Sequence, residues 1–265
     1  MNRLLTLAIL LCLGAPAAAC PRIVSQAPYI TRTLQWRGLE PCIVGVGNYD
    51  TLDLPRTGGV LDPDADAIAL LQPQLMFNAD WLEETRWQAL APPAAHAVTL
   101  HGFLSIAEVE ENLRVVGRAA RLADAEVRAA SFAQAWRAAA AQVHGNGRRV
   151  LLLSACSGTP YSFGRNTWLH DLFTAAGFTV AEDAERLRHL RPGEEITDIG
   201  TLADRQQADV LFVFERKAAQ QCALIRPRRP LPIVTLDGES FLHPAPSLLD
   251  GLAELQASRV QWSAP

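Results

Sequence analysis

The chain has 265 residues, of which 49% are hydrophobic and 20% are charged, so it should fold as a globular protein rather than remain disordered. The formal net charge is -4 and no run of lysine or arginine occurs, which argues against nucleic acid as a partner. A chain of this length can form two compact lobes.

The amino terminus has the pattern of a secretory signal peptide. Asn2 and Arg3 precede an apolar run from Leu4 to Leu13, and small residues follow up to Ala19. An apolar run of about ten residues is too short to cross a bilayer, which needs about 20. We therefore predict a signal peptide over residues 1–19 and a periplasmic location.

Cys20 leaves two localisations open. The stretch Ala17-Ala18-Ala19-Cys20 resembles a bacterial lipobox, in which the cysteine is lipidated, but Ala17 stands where leucine is usual. The protein is therefore either free in the periplasm or anchored there by a lipid on Cys20.

The remaining cysteines allow disulfides in an oxidising compartment. Cys20 lies just before the first predicted strand and Cys42 at the start of the second, so neighbouring parallel strands would bring the two cysteines together. We predict a Cys20–Cys42 disulfide, which lipidation of Cys20 need not exclude. Cys156–Cys222 is a second possible pair, and two buried thiols are the alternative.

The first hundred residues predict a small α/β lobe, assigned here to residues 20–104. Strands are expected at 22–25, 42–46, 75–77 and 97–100, with helices at 30–37, 62–71 and 81–90. The order β-α-β favours a parallel sheet with right-handed crossovers.

Residues 105–145 are expected to be a connecting helical segment. Ser105 and Glu108 form a capping-box pattern, and the following forty residues lack proline. Helices are predicted at 105–120 and 125–143, with a brief break between them. We expect this segment to supply a single long backbone helix and not to fold back as a hairpin.

The α/β pattern resumes in residues 146–265, assigned to a C-terminal lobe. Strands are predicted at 150–153, 178–180, 210–214 and 233–236, with helices at 167–176, 201–207, 216–224 and 247–256. The predicted fold class is α/β, with two Rossmann-like lobes joined by a single long backbone α-helix.

A series of short motifs runs along the chain in a fixed order. They are Arg22-Ile23-Val24-Ser25 with Ala27-Pro28, Val44-Gly45-Val46, Gly58-Gly59, the stretch from Asp64 to Leu75, Gly164-Arg165-Asn166-Thr167 and Ala208-Asp209-Val210. This series resembles the periplasmic substrate-binding proteins of ABC transporters for cobalamin, haem and iron-siderophores, the class III type with a helical backbone. The resemblance implies a ligand cleft between two lobes and delivery to an inner-membrane ABC permease.

Ligand sites of open α/β sheets lie beyond the carboxyl ends of the strands. By that rule the candidate ligand-binding residues are Tyr29, Tyr49, Trp81, Tyr161, Phe163, Arg165, Asp237 and Phe241. This largely aromatic set suits a large, flat, partly apolar ligand. Cobalamin, haem and a ferric siderophore all stay open, and cobalamin is slightly favoured because Arg165 and Arg216 are the only obvious cleft cations.

Several of these residues have a purely structural alternative. Tyr29 could cap its strand with the hydroxyl in water, and Asp237 could simply cap the turn at Gly238. A tyrosine or histidine could instead ligate haem iron.

The resemblance also implies that one acidic residue on each lobe pairs with arginines of the transporter. Asp66 falls at the expected position in the first lobe. The matching position in the second lobe falls close to Thr201, which is not acidic, and Glu194 and Glu195 lie nearby. The alternative is a periplasmic sensor or interaction protein of the same fold that does not feed a transporter.

Enzymatic motifs are weak in this sequence. The stretch Ser154-Ala155-Cys156-Ser157-Gly158 lacks the leading glycine of a nucleophile elbow, and no phosphate-binding glycine loop or zinc motif occurs. We therefore predict no catalysis, no metal site and no resident cofactor.

Overall fold

The computed structural model describes residues 20–155, 158–216 and 225–263. The predicted signal peptide, Cys156, Cys222 and nearly all of the predicted 216–224 helix lie outside these residues. In the described ranges, no helix is both long enough and apolar enough to cross a membrane.

The first lobe is built on a four-stranded parallel sheet. Its strands are β1 (Ile23–Ser25), β2 (Ile43–Val46), β3 (Leu75–Ala79) and β4 (His96–Leu100), in the order β2-β1-β3-β4. Its helices are α1 (Pro28–Trp36), α2 (Ala65–Leu70) and α3 (Glu84–Ala89), and a short 3-10 helix covers Glu40–Cys42. The central strands β1 and β3 are fully buried, as expected for a parallel sheet covered on both faces.

The connecting segment forms two helices, α4 (Ile106–Ala119) and α5 (Ala125–Ala141). The Ser105 hydroxyl caps α4 by accepting a hydrogen bond from the Glu108 amide, as the capping box predicts. The helices pack antiparallel, since Arg118 pairs with Glu126 beside the turn. At the far end Glu110 accepts a hydrogen bond from the Trp136 indole at 2.8 Å.

The predicted single long connecting helix is therefore not confirmed, and the chain folds back as a hairpin. Two features explain the reversal. Arg121 adopts a left-handed backbone conformation with a φ of 55° in the turn. Gly117 lets the helices approach closely, because a Cβ there would lie 2.7 Å from the Ala125 Cβ.

Helix α4 nevertheless reaches both lobes. Ile106, Val109 and Leu113, in its first eight residues, are buried in the core of the second lobe. Val116, one turn further on, is buried in the core of the first lobe. The lobes are thus joined by a helical hairpin whose first helix belongs to two hydrophobic cores.

The second lobe contains a mixed six-stranded sheet. Its strands are β5 (Arg149–Ser154), β6 (Tyr161–Phe163), β7 (Thr179–Val180), β8 (Leu187–His189), β9 (Val210–Glu215) and β10 (Ile233–Asp237). The order is β10-β9-β5-β6-β8, with β7 also paired to β5. Strand β6 runs antiparallel to both β5 and β8, and the sequence did not predict β6 or β8.

Five helices complete the described part of the second lobe. They are α6 (Trp168–Ala175), α7 (Ile199–Arg205), α8 (Gly238–Phe241), α9 (Leu248–Ala257) and α10 (Arg259–Ser263). The four-residue helix α8 and the short α10 were not predicted. Helix α8 follows directly on β10 and so stands at the carboxyl edge of the sheet, facing the first lobe.

A disulfide joins Cys20 to Cys42, with 5.4 Å between the Cα atoms, as predicted. A lipobox anchor is a thioether on the cysteine sulfur, so the same Sγ atom cannot carry both bonds. The expectation that lipidation of Cys20 need not exclude the disulfide is therefore wrong, and the two are alternative states.

Candidate functional site

A cleft lies between the carboxyl edges of the two sheets. It has one compartment of about 590 Å³ and another of about 480 Å³. Trp81 and Phe103 from the first lobe, and Arg216 and Leu242 from the second, line both compartments. Because they share these walls, the two compartments adjoin each other.

Aromatic rings of the first lobe form one side of this cleft. Phe103 follows β4, and its ring centroid lies 5.1 Å from that of Tyr29 and 4.9 Å from that of Trp81. Trp81 follows β3 and is 56% exposed, so its ring offers a free apolar surface. The position of Phe103 after β4 agrees with the rule for strand ends.

The aromatic row continues into the second lobe. The Phe103 ring lies 5.4 Å from the Trp168 ring, at the start of α6, and Trp168 lies 5.5 Å from Phe163. Phe163 in turn lies 5.3 Å from Tyr161 on the same strand, β6. The contacts are mostly edge-to-face, a favourable arrangement for aromatic rings. Rings from both lobes therefore form a single apolar wall.

Tyr29 occupies a more enclosed position than the sequence suggested. The predicted helix begins earlier, so Pro28 and Tyr29 are the first residues of α1 and not a turn. The Tyr29 hydroxyl donates a hydrogen bond to the Leu100 carbonyl at 3.0 Å. Burial raises the pKa of Tyr29 well above its usual value, and the charges of Asp80 and Glu108 add to the effect. Its ring lines the cleft while its hydroxyl is already bonded.

Tyr49 stands at the rim of the cleft and is 76% exposed. It belongs to the loop after β2, which the buried Gln26 side chain ties down by donating to the carbonyls of Thr57, Gly58 and Gly59. The backbone of this loop also passes very close to Gln26, because a Cβ on Gly47 would lie 2.3 Å from the Gln26 carbonyl oxygen. The rim position of Tyr49 is thus fixed by its supporting loop.

The polar end of the larger compartment joins the two lobes. Arg32 of α1 contacts Glu239 of α8, with 2.6 Å between Nη2 and Oε2. His243 Nε2 lies 3.4 Å from the same carboxylate oxygen. The hydrogen bond with His243, aided by the charges of His243, Arg32 and Arg216, lowers the pKa of Glu239 to about 2. Arg32 was missed from sequence because it lies inside a helix and not after a strand.

Three predicted ligand-binding residues do not lie in this cleft. Arg165 is exposed on the second lobe beside a separate polar depression that Arg149 also lines. Asp237 caps α8 by accepting a hydrogen bond from the Glu239 amide at 2.9 Å, the structural alternative considered for it. Phe241 is fully buried, and its ring packs 5.0 Å from that of Phe214.

The acidic residues considered for docking are exposed and lie outside the cleft. Asp66 is in the first turn of α2. Glu194 pairs with Arg191 and Glu195 pairs with Arg205, so both carboxylates of the second lobe already have local partners. Within the described residues, no group of three His, Cys, Asp or Glu side chains could hold a metal ion.

The family model for periplasmic binding proteins matches residues 21–224. The chain belongs to the periplasmic binding protein family. None of the curated proteins matches this periplasmic binding protein in sequence.

Solved structures give the same fold. The haem-binding protein HutB of Vibrio cholerae is 16% identical, with a TM-score of 0.73, covering 90% of this chain and 98% of HutB. The vitamin B12-binding protein BtuF of Vibrio cholerae is 18% identical, with a TM-score of 0.71, covering 92% and 98%. The haem-binding protein RhuT of Roseiflexus sp. RS-1 is 23% identical, with a TM-score of 0.70, covering 90% and 97%.

These matches confirm the predicted family and the predicted α/β fold with two lobes. Proteins of this family are periplasmic, and they bind substrates without transforming them. The expectation that this periplasmic binding protein is not an enzyme is confirmed on that basis.

Proposed function

We propose that the chain is the solute-binding component of an ABC importer, which captures a cobalamin-like or iron-chelate ligand in the cleft and delivers it to an inner-membrane permease. The observation that carries this proposal is the aromatic wall that crosses from Trp81 through Phe103 to Tyr161. In this proposal residues 20–104 and 146–265 are the two ligand-holding lobes, 105–145 connects them and 1–19 is the signal peptide.

The dimensions and chemistry of the cleft support a large flat ligand. Two adjoining compartments of about 590 and 480 Å³ match the size of ligand pockets in proteins. Aromatic walls bury much ligand area at a low cost in rotamer entropy. The similar solved structures are of proteins that bind haem or vitamin B12, two ligands of this shape.

Cobalamin remains slightly favoured over haem within this proposal. A haem site would need an axial ligand to iron. The Tyr29 hydroxyl is already bonded to the Leu100 carbonyl and His243 lies against Glu239, which leaves the exposed Tyr49 at the rim as the candidate for that role. A corrinoid needs only apolar contact and hydrogen bonds from such a cleft, which the aromatic wall and its polar end provide.

Ligand titrations test this assignment directly. The purified mature protein would be titrated with cyanocobalamin, haemin and ferrichrome, and binding followed by the absorption spectrum of each ligand and by quenching of tryptophan fluorescence. We expect saturable binding of at least one ligand with a Kd of about 1 μM or tighter, a typical affinity for specific capture. If none of the three bound, the proposed ligand class would be wrong.

Delivery to a permease requires a separate test. We expect Asp66→Ala combined with Glu194→Ala and Glu195→Ala to reduce ligand uptake by cells without changing ligand affinity. Glu84→Ala, an exposed substitution on α3, is the matched control. Normal uptake with the triple variant would favour the alternative, a periplasmic sensor or interaction protein of the same fold.

A further inference from the structure

The ion pair between Arg32 and Glu239 occupies the polar end of the larger compartment. Its side chains are 29% and 28% exposed, so the pair is largely shielded from water. The carboxylate also contacts His243, which comes four residues later, just beyond α8. A negative charge supplied by the protein therefore already lies beside Arg32, where a ligand acid would otherwise bind.

The other charged side chains of this compartment also include both signs. Arg216 lines it, and its Nε atom is buried without a hydrogen-bond partner among the described residues. Asp50 lines it as well and is buried, with one carboxylate oxygen unpartnered within the same part of the chain. Two arginines and His243 therefore stand against two carboxylates before any ligand enters. The hydrogen bond from His243 and the nearby cations hold the pKa of Glu239 near 2, so its negative charge persists at neutral pH.

We propose that Glu239 is a specificity-determining residue: by occupying Arg32, it makes the cleft select planar ligands whose polar rim is uncharged and rich in amides over those that carry two carboxylates. This inference rests on the proposed function, because it concerns a ligand bound in the same cleft. Neutral amide groups are the polar groups expected at the rim of that ligand.

The physical basis is the unequal cost of admitting the two kinds of ligand. A dicarboxylate must either separate Glu239 from Arg32 or place an acid beside the Glu239 carboxylate, and both outcomes are unfavourable. An amide can donate to Glu239 and accept from Arg216 while the ion pair stays intact. The pair therefore acts against one ligand class without obstructing the other.

The test compares three probes and three proteins. The probes are cyanocobalamin, which has an amide rim, gallium protoporphyrin IX, which has two carboxylates, and the dimethyl ester of that porphyrin. The proteins are the wild type, Glu239→Gln and the control Glu84→Gln, which removes the same charge from an exposed site outside the cleft. Glutamine keeps an oxygen that can accept from Arg32, so the variant loses charge without losing shape.

We expect Glu239→Gln to bind the dicarboxylate porphyrin about tenfold more tightly than the wild type, a change of about 1.4 kcal/mol. Its affinity for the diester and for cyanocobalamin should change by less than about threefold. Glu84→Gln should match the wild type with every probe. An unchanged or weaker affinity for the dicarboxylate, or an equal gain with all three probes, would overturn the inference.

The wild type alone provides a second measurement that does not depend on the variant folding. It should prefer the diester to the dicarboxylate, and sodium chloride should reduce this preference, because screening weakens the repulsion from Glu239. A preference that did not respond to salt would overturn the inference but leave the proposed function intact. If the wild type bound none of the three probes, this inference would be overturned, and the proposed function would fall with it only if ferrichrome also failed to bind.

Discussion

The ring of Phe103 lies 5.4 Å from the ring of Trp168, although one follows the last strand of the first sheet and the other begins a helix of the second lobe. This contact joins the aromatic surfaces of the two lobes. Phe103 is only partly buried and lines both compartments of the cleft. It should therefore contribute more to ligand binding than to folding.

We predict that Phe103→Ala lowers the affinity for the bound ligand about tenfold to a hundredfold, because an aromatic contact and its buried area are lost together. Isothermal titration with the ligand identified by the spectra would measure this loss. Leu70→Ala, which removes an 84% exposed side chain on α2, is the control and should bind normally. An unchanged affinity for Phe103→Ala would show that the ligand does not touch the aromatic wall.

The low pKa of Glu239 predicts a pH-dependent contribution to stability. Its folded pKa of about 2 lies below the ordinary value of 4.5, so the stabilisation is fully present above pH 4.5. It is then lost as the pH falls toward 2. Because the pair is partly open to solvent, we expect a contribution of only about 1 kcal/mol.

Urea denaturation at several pH values would measure this contribution. The difference in the free energy of unfolding between the wild type and Glu239→Gln should shrink steadily from pH 5 toward the lowest pH at which the protein folds. Glu84→Gln should show no such convergence. If the difference in the free energy of unfolding stayed constant across this pH range, the ionised carboxylate of Glu239 would not be the source of the stabilisation.

The close approach of α4 and α5 at Gly117 makes another prediction. Alanine normally gains about 1 kcal/mol over glycine inside a helix. A Cβ at residue 117 would lie 2.7 Å from the Ala125 Cβ, and overpacking of that kind costs about 1–3 kcal/mol. We expect Gly117→Ala to destabilise the protein by about 1 kcal/mol net when measured by thermal or urea unfolding.

A second substitution separates packing from helix propensity. Adding Ala125→Gly removes the opposing methyl group, so the double variant should be more stable than the sum of the two single changes implies. Simple additivity would mean that the two helices do not pack closely at this position. Because the hairpin depends on this contact, the experiment also tests the reversal of the chain.

The Cys20–Cys42 disulfide predicts the chemical state of the mature amino terminus. A sulfur bonded to Cys42 has no thiol left to accept a lipid, so the protein isolated from the periplasm should carry no diacylglyceryl group on Cys20. Intact mass spectrometry should show this pair oxidised. The Cys42→Ser variant should be less stable by about 3 kcal/mol, since the bond closes a loop with a sequence separation of 22. A lipid mass on Cys20 of the wild type would contradict the prediction.

The central strands of the two sheets could be predicted from sequence because they are compact apolar runs buried on both faces, such as Val150 to Leu153. Strands β6 and β8 could not be recognised in the same way. They contain only three residues each and include polar side chains such as Arg188 and His189. Their identity as strands depends on pairing with each other and with β5, which no local pattern reveals.

The hairpin was missed for a related reason. An apolar stripe with helical spacing looks the same whether the helix continues after a break or folds back onto its predecessor. The difference lies in the turn at Arg121 and in the small residues Gly117 and Ala125, whose importance becomes visible only when the helices touch. The sequence therefore predicted both helices but not their arrangement.

The cleft was predictable wherever a residue follows a parallel strand, as with Tyr49 after β2 and Trp81 after β3. Arg32 was not predictable in this way because its partner Glu239 is 207 residues away and belongs to the other lobe. Phe241 also follows a strand, but helix α8 turns its ring into the core. The rule for strand ends thus identifies the correct edge of the sheet without deciding which side chains face the ligand.

The packing of Ala245 has a consequence for the order in which the protein acquires its structure. This residue is fully buried in the hydrophobic core of the first lobe, whereas Ile106 and Val109 of α4 are buried in that of the second. Neither half of the polypeptide can complete its own interior while the other half is missing. A chain emerging from the translocon should therefore keep apolar surface open, and accessible to periplasmic chaperones, until nearly its whole length has crossed the membrane.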